Sequence, residues 1–319
     1  SDGASHLPPV SFSYSTFSPD DSVSAVGAIL SSSSAPPTVM DSDLVELVDL
    51  NRDGLPDILQ TDLYGTGHRY YANLGVSGDG GGAEIEWDEG RDVGSPDGLA
   101  LGLHLVDDEV HLADMDGDGI SDLIHTPYSQ EVSYYLNGGD GLWGERRRMS
   151  VQDTPPPAPF AHADVETADL DFDKRMDVVQ STETGYTVWF NLEGGRYSRR
   201  VNTAGAVHRG EVLRFSQSGV HLEDLNGDRL TDVARIRTTQ GVYAAGMGHG
   251  RFAPAVEIPI PDAVLTDGTG GQVERARLKD VNGDGLADLV VERARANQLW
   301  YWLNLGTDAF SQRHVVTDM

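Results

Sequence analysis

Apolar residues occur along this chain in short runs bounded by Gly, Asn and Asp, and no long segment repeats its apolar positions every 3.6 residues. The runs are rich in β-branched and aromatic residues, which favour strands, whereas the residues between them favour turns. The sequence therefore predicts an all-β protein built from many short strands, with little helix.

One unit of this pattern occurs five times. Each copy holds an aspartate-rich stretch, such as LADMDGDGISDLI from Leu112 or LKDVNGDGLADLV from Leu278. The first aspartates of the five stretches are spaced by 65, 55, 55 and 56 residues, and they are Asp49, Asp114, Asp169, Asp224 and Asp280. Spacing this regular indicates tandem copies of one structural unit.

A second motif follows each aspartate stretch. It is a run of aromatic and β-branched residues that ends in Asn and Gly, as in YYLNGG up to Gly139 and WYWLNLG up to Gly306, and it is degraded to VYAAGMG in the fourth copy. Such a run predicts a strand that enters a turn. We therefore expect four strands per unit: one before the aspartates, one directly after them, the aromatic strand, and one after the Gly turn.

Four-stranded units of about 50 to 60 residues in tandem are typical of a β-propeller. We predict that residues 1–319 form one propeller domain, with five repeats in residues 44–319. Residues 1–43 would be a lead-in whose strand either closes the ring or belongs to a sixth blade without an aspartate loop. Because 319 residues divided by six is about 53, close to the observed step, six blades are favoured and five are the alternative.

Three segments interrupt the repeats: Gly75–Gly102, the Pro-rich stretch Gln152–Asp164 and the Ser-rich stretch Ser31–Pro37. The second is predicted to be an extended crossing between two blades. Irregular loops of this kind are where a rigid scaffold usually carries its contacts.

The chain has 23 Lys and Arg against 51 Asp and Glu, a net charge of -28. An excess of acid this large argues against nucleic acid and against an anionic membrane surface as partners. No stretch reaches the roughly 18 consecutive apolar residues of a membrane span, and the first residues do not have the pattern of a signal peptide. Without cysteine, disulfides, thiol catalysis and thiolate zinc sites are excluded.

The aspartate stretches are candidate metal loops. When the five stretches are aligned, residues with side-chain oxygens occupy loop positions 1, 3, 5 and 9. The backbone carbonyl of position 7 is a further predicted oxygen ligand. Hard oxygen ligands in this number, without His or Cys, favour calcium. The five predicted ligand sets are Asp49, Asn51, Asp53, Leu55, Asp57; Asp114, Asp116, Asp118, Ile120, Asp122; Asp169, Asp171, Asp173, Arg175, Asp177; Asp224, Asn226, Asp228, Leu230, Asp232; and Asp280, Asn282, Asp284, Leu286, Asp288. We expect up to five structural calcium ions.

Position 6 of each loop is expected to turn sharply and to favour Gly. Lys174 and Arg229 occupy it in the third and fourth loops and add a positive charge beside each site. We therefore rank the loops of Asp114 and Asp280 first for calcium, then that of Asp49, ahead of those of Asp224 and Asp169.

No catalytic motif stands out. Carboxylates are too numerous for one acid–base pair to be distinguished, and GxSxG, HExxH and phosphate-binding Gly loops are missing from the sequence. His111 and His221 precede a loop aspartate by three residues and are predicted to be strand residues. The aromatic residues Trp189, Trp300, Tyr301 and Trp302 are predicted to fill the space between blades, with a carbohydrate platform as the alternative. We predict that the protein is not an enzyme.

From Leu44 to Phe310 the loops and the aromatic strands resemble the FG-GAP/VCBS repeat of integrin α-subunit propellers. That resemblance implies calcium held between the first two strands of a blade. LPPVSFSYS, APP, LVELVDLNRDGLPDILQTD and YYANLG also resemble the propeller of the B component of tripartite insecticidal Tc toxins and of SpvB/Rhs-type proteins. In that family the propeller lies within a much larger chain, docks on the translocation channel of the A component, and gates the cocoon that holds the toxic polypeptide.

These inferences predict a calcium-stabilised docking and gating module of a secreted toxin complex. The expected partner is a protein, either a toxin channel subunit or a cell-surface protein. The alternative is an extracellular carbohydrate-binding or adhesion propeller, whose partner is a glycan. We also expect the chain to be a secreted piece of a larger bacterial protein that does not itself insert into a membrane.

Overall fold

The computed structural model describes residues 36, 44–61, 67–77, 84–94, 101–128, 131–139, 142–237, 241–260, 275–282, 284–293, 298–306 and 310–317. Every regular element within these ranges is a β-strand. The described part of the chain has no helix long and apolar enough to cross a membrane.

Each aspartate loop connects two strands of its own four-stranded antiparallel sheet, called a blade and numbered here in chain order. Blade 1 contains β1 (Val45–Val48), β2 (Asp57–Thr61), β3 (His68–Tyr71) and β6 (Arg91–Val93), and the hairpin of β4 (Asn73–Ser77) and β5 (Glu84–Trp87) lies between the last two in sequence. Blade 2 contains β7 (Val110–Ala113), β8 (Asp122–His125), β9 (Ser133–Asn137) and β10 (Trp143–Arg148).

Blade 3 is accompanied by two small sheets. It contains β12 (Val165–Ala168), β13 (Asp177–Thr182), β14 (Gly185–Trp189) and β17 (Val201–Thr203); the small sheets are β11 (Ser150–Val151) with β15 (Asn191–Leu192) and β16 (Arg196–Tyr197), and β18 (Val207–His208) with β19 (Glu211–Val212). Blade 4 contains β20 (Val220–Glu223), β21 (Asp232–Ile236), β22 (Gly241–Ala244) and β23 (Val256–Ile258). Blade 5 contains β24 (Arg275–Lys279), β25 (Asp288–Arg293), β26 (Gln298–Trp302) and β27 (His314–Thr317).

Neighbouring blades pack face to face through apolar clusters, because the strands leaving the loops are buried on both sides. Within β8, Leu123 packs toward blade 1 and the next residue, Ile124, packs toward blade 3. Trp189 and Trp302 lie in the clusters between blades 2 and 3 and between blades 4 and 5, as predicted. Successive face-to-face packing of four-stranded sheets is the architecture of a β-propeller, and the predicted all-β propeller is confirmed.

The described residues supply the five blades that carry aspartate loops. The segment assigned to the sixth, residues 1–43, lies outside them apart from Pro36. The face of blade 1 that points away from blade 2 is nevertheless buried at Val45, Ile58 and Tyr71. This is the face that a sixth blade would cover.

Two blades depart from the predicted strand order. In blade 1 the end of the YYANLG motif and the residues after it form the extra hairpin β4–β5, so that the fourth strand begins only at Arg91. In blade 3 the GRYSRR segment, predicted to be the fourth strand, instead pairs in parallel with β11, and Val201–Thr203 takes that place. The cause in blade 3 is Tyr197, which is fully buried in the cluster between blades 2 and 3 and anchors this segment there. The Gln152–Asp164 segment, predicted to be an extended crossing between two blades, connects β11 to β12 without a strand and ends in hydrogen-bonded turns.

The Asn of the aromatic-strand motif joins blades 2, 3 and 5 to the blade that precedes each of them. The Nδ2 group of Asn137 donates to the carbonyl of Leu50 in blade 1 (3.0 Å), that of Asn191 donates to Met115 in blade 2 (2.9 Å), and that of Asn304 donates to Leu225 in blade 4 (2.8 Å). Blade 4 has Gly246 in place of this Asn, and in blade 1 Asn73 donates to the carbonyl of Pro56 in its own blade. The recurring Asn-Gly is thus a joint between blades as well as a turn.

Replacing Asn137 by Ala is expected to lower the free energy of unfolding by about 2–4 kcal/mol, because it leaves the buried Leu50 carbonyl and the Gly139 N–H without their partner. Urea denaturation measures this. Asn202→Ala removes an exposed Asn side chain that contacts Thr187 and is the matched control, expected to cost about 0.5 kcal/mol or less. Equal losses in the two variants would contradict a joint at Asn137.

A buried histidine and a buried tryptophan join blades 1 and 2. The Nε1–H group of Trp143 donates to Nδ1 of His68 (2.8 Å), and Nε2 of His68 lies 2.7 Å from the carbonyl of Leu103. These partners fix the neutral ring with its proton on Nε2. Burial lowers the pKa of His68 below its ordinary value of 6.5, although the bond to Leu103 partly opposes this.

We expect the His68–Trp143 contact to make the fold less stable in acid. As the pH falls below about 6.5, the imidazole of the unfolded chain takes up a proton that folded His68 does not, so stability falls by up to about 1.4 kcal/mol per pH unit. The loss stops below the lowered folded pKa. In His68→Gln, urea denaturation between pH 7.5 and pH 5.5 should show a smaller loss than in the wild type; identical losses would exclude His68 as a cause.

Candidate metal centre

The five loops share one hydrogen-bonding pattern, which explains why the sequence repeats Asp at these spacings. The position 1 carboxylate accepts the backbone N–H of position 6 at 2.7–2.9 Å in every loop. The position 5 carboxylate accepts the N–H of position 7 at 2.8–3.0 Å. Both contacts close tight turns that wind the loop around its own carboxylates.

The backbone turns sharply at two places in each loop. Position 6 has a positive φ in all five loops, as the sequence predicts, and the values at Lys174 and Arg229 are 72° and 68°. Position 4 has a positive φ as well in the four loops where the structure describes it, including the non-Gly residues Arg52 and Phe172, and this turn was not predicted. Gly117 and Gly227 at that position were the signal for it. A non-Gly residue in this region costs on the order of 1 kcal/mol, so the loops accept strain to keep their shape.

The position 9 carboxylates are the most buried groups of the loops. They are at most 1% exposed, and they are Asp57, Asp122, Asp177, Asp232 and Asp288. Oδ2 accepts the N–H of position 2 at 2.8–3.0 Å. Oδ1 accepts an N–H at the end of the third strand at 2.7–2.8 Å. Each position 9 aspartate thus ties its loop to the sheet.

Burial also changes the acidity of these carboxylates. Desolvation raises the pKa of Asp122 to about 7, that of Asp177 to about 8 and that of Asp232 to about 6, with the other loop carboxylates adding to the effect and the backbone N–H groups opposing it. The pKa values of Asp57 and Asp288 shift in the same direction. The neighbouring carboxylates thus add to an effect that comes mainly from burial, and a cation bound in the loop would offset their repulsion.

Position 3 divides the loops into two classes. Where it is Asp, carboxylate oxygens of positions 1, 3 and 9 lie within 4.8 Å of one another, and the two sets are Asp114, Asp116, Asp122 and Asp169, Asp171, Asp177. Where it is Asn, as in Asn51, the side-chain amide donates to the position 5 carboxylate. In the third loop, Oδ1 of Asp171 is a buried oxygen with no hydrogen-bond partner among the residues that the structure describes. A cation would satisfy that oxygen.

At position 7 the structure shows the contacts of the backbone N–H group and of the side chain. That the position 7 carbonyl binds a metal therefore remains a prediction. The side chains of Leu55, Ile120 and Leu286 pack against Gly75, Gly139 and Gly306, the glycines that end the aromatic-strand motif. Arg175 differs, because its guanidinium pairs with Asp173 of its own loop and donates to the carbonyl of Asn191 (2.9 Å). This ion pair supplies part of the positive charge in the third loop.

Neighbouring loops are bonded to one another. The position 1 carbonyl of Asp114 accepts from the N–H of Met176 (2.9 Å), and that of Asp224 accepts from the N–H of Ala287 (3.0 Å). The carbonyl of Asp169 accepts from the hydroxyl of Thr231 (2.9 Å). Between blades 1 and 2 the link is an ion pair, Arg52 to Asp118 (2.7 Å). The loops thus form one continuous network along one face of the propeller.

The donor groups fit a hard divalent cation such as calcium, because they are all oxygens, converge in the Asp-type loops, and include an unpartnered buried oxygen. His111 and His221 lie in β7 and β20 rather than in the loops, as predicted. Burial lowers the pKa of both imidazoles.

Comparison with known proteins agrees with the repeats and the fold. The model of the FG-GAP-like repeat family matches residues 114–180 and 224–291, each span running from the loop of one blade into the second strand of the next. No curated protein matches the chain in sequence.

Two solved structures share the fold. The chain superposes on the Tc holotoxin pore of Photorhabdus luminescens with a TM-score of 0.65 and 19% identity, over 86% of this chain and 12% of that one. It superposes on a lectin of Agrocybe aegerita that recognises non-reducing terminal N-acetylglucosamine with a TM-score of 0.55 and 21% identity, over 86% of this chain and 65% of the lectin. The chain thus spans about one eighth of the toxin chain. Together these findings identify the chain as a β-propeller, of which residues 114–180 and 224–291 match the FG-GAP-like repeat.

Proposed function

We propose that this propeller is a non-catalytic, calcium-stabilised docking and gating module of a secreted toxin assembly of the Tc type. One observation carries the non-catalytic part: the most reactive groups, the loop carboxylates, occur once per blade and are bonded into the scaffold. Groups with identical roles in every blade hold the fold. The specific work then belongs to surfaces that do not repeat.

Calcium is proposed to stabilise the loops. Positions 1, 3, 5 and 9 would hold it, with the position 7 carbonyl, and its charge would offset that of the carboxylates. The geometry changes the order in which we expect the loops to fill. The loop of Asp169 joins that of Asp114 at the top, because both present three converging carboxylates. This outweighs the positive charge of Lys174 at position 6.

The docking role is supported by the likeness of fold to the Tc holotoxin, in which a chain of this size corresponds to a small part of a much longer polypeptide. We propose secretion as part of such an assembly, with a channel-forming subunit as the partner. At 19% identity the likeness concerns the fold, so the partner is argued from the sequence resemblance and requires a direct test.

A glycan-binding propeller is the second candidate, and the likeness to the N-acetylglucosamine lectin favours it. One experiment separates the two. The chain is immobilised, and its binding to a purified Tc-type channel subunit and to glycans ending in N-acetylglucosamine is measured by biolayer interferometry. Saturable binding to the channel subunit alone supports docking. Binding to the glycans alone replaces it with the lectin function, and binding to neither overturns both.

A further inference from the structure

A polar cleft opens between blades 2 and 3. Its volume is about 270 Å³, slightly below the ~300–1,000 Å³ of pockets that take drug-sized ligands. Its base includes the buried side chains of Met115 and Tyr134. One wall is the turn at Gly194 and Gly195. A Cβ atom at Gly195 would lie 2.5 Å from the Tyr134 hydroxyl, so glycine there lets the turn pack closely on Tyr134.

Three arginines line this cleft: Arg147 and Arg148 from the last strand of blade 2, and Arg175 from the third loop. The side chain of Arg147 is exposed and makes no hydrogen bond or ion pair with any residue that the structure describes, and its charge lies near enough to Asp116 to oppose the rise in the pKa of that carboxyl group. Arg148 has a side chain that is 66% exposed and shares Glu131 with Arg146. The Arg147 guanidinium is therefore available to a ligand, whereas that of Arg148 would have to exchange or share its contact with Glu131.

This arrangement is unusual for a chain with a net charge of -28. A solvated outer strand carries arginines that point to open water, whereas these line a cavity. The exposed Arg196 also lies close by, because its strand pairs with Ser150 just beyond the last strand of blade 2. The cleft therefore concentrates positive charge on an otherwise acidic protein.

The composition of the cleft favours a carboxylate ligand. Arginine forks bind carboxylates with paired, charge-assisted hydrogen bonds, and clusters of arginines recognise acidic peptide motifs. Asp116 and Glu193 also line the cleft, and they would repel a phosphate dianion more than a carboxylate. The aromatic ring that lines it, Tyr134, is buried and only 5% exposed, so it offers little platform for a sugar.

We propose that the cleft between blades 2 and 3 binds an acidic peptide segment of a protein partner, with Arg147 and Arg148 holding its carboxylates. This inference deepens the docking function and rests on it for the identity of the partner. Asp116 is also a proposed calcium ligand, so an ion in the second loop would strengthen the attraction.

Fluorescence anisotropy with a fluorescein-labelled hexaglutamate peptide, at low ionic strength and with excess calcium, tests the proposal. The net charge of the protein repels this probe, so binding reports a local site. The wild type is expected to bind saturably, and Arg147→Ser/Arg148→Ser is expected to weaken binding by about tenfold or more. Arg251→Ser, which removes an exposed arginine of blade 4, is the matched control and should change binding by less than about twofold.

Two results would overturn the proposal. One is that the wild type shows no saturable binding of hexaglutamate. The other is that the double variant binds the peptide as tightly as the wild type while its melting temperature is unchanged. Should the double variant melt early, Arg147→Gln alone must still weaken binding. Tighter, arginine-dependent binding of a heparin hexasaccharide would replace the peptide with an acidic glycan.

The channel subunit separates this inference from the docking function. If the subunit binds the wild type and the double variant equally, the cleft is not its docking site, but docking itself stands. If hexaglutamate binds in the cleft and the subunit does not bind at all, the docking function fails and the cleft remains an acidic-peptide site.

Discussion

Replacing Asp177 by Ala is expected to lower the free energy of unfolding by about 3–5 kcal/mol. This aspartate is fully buried, and its two oxygens accept the backbone N–H groups of Leu170 and Asn191. Alanine leaves both donors unpaired in the interior, at about 1–3 kcal/mol each, and adds a small cavity. Urea denaturation monitored by tryptophan fluorescence measures the loss.

The same measurement in excess EGTA separates two roles of Asp177. If the aspartate ties the loop to the sheet, the loss persists without divalent ions, because backbone N–H groups and not a cation are left unpaired. Glu183→Ala, in the turn after β13, removes an exposed acidic side chain from the same blade and should cost about 0.5 kcal/mol or less. A loss that vanishes in EGTA would show that Asp177 acts only through a metal.

Removing divalent ions is expected to lower the melting temperature by about 5 °C or more. An ion present at 100 times its dissociation constant stabilises the folded state by about 2.7 kcal/mol per site. In a chain of 319 residues each kcal/mol corresponds to about 1.5 °C, so two occupied sites would raise the melting temperature by about 8 °C. Differential scanning calorimetry in calcium and in EGTA measures the shift, and calcium added back should restore the original value.

Variants identify the loops that bind the ions. Asp114→Asn/Asp169→Asn weakens the two loops with converging carboxylates, so EGTA should lower its melting temperature by less than it does in the wild type. Asp153→Asn/Glu193→Gln also removes two negative charges, outside the loops, and should keep the full shift. Equal melting temperatures of the wild type in calcium and in EGTA would rule out structural calcium.

The repeating parts of this fold were predictable because each is short and local. Strand, loop and strand lie within about 15 residues, so the pattern around Asp114 predicts its own conformation, including the turn at position 6. The turn at position 4 was missed because Arg52 and Phe172 occupy it in two loops, and neither residue type indicates a positive φ.

Contacts between blades were not predictable in the same way. The joint from Asn137 to Leu50 spans 87 positions and ends on a backbone carbonyl. Because every residue type has that carbonyl, the sequence at position 50 does not indicate the contact. The shifted fourth strand of blade 3 has a similar cause, because Tyr197 finds its buried site against blade 2 and not within its own unit. The arginine cleft likewise joins segments that lie far apart in sequence.

The joints between blades have a direction, and that direction matters during synthesis. The side chains of Asn137, Asn191 and Asn304, like the N–H groups of Met176 and Ala287, donate to carbonyls of the preceding blade. On a ribosome, which releases the N-terminal part of a chain first, those carbonyls have already emerged when the new donors appear. Each blade can therefore be fastened to its predecessor as soon as its own third strand is out. A nascent chain that stops early keeps every joint it has made, whereas a chain that lacks its first blade begins with donors that have no acceptors.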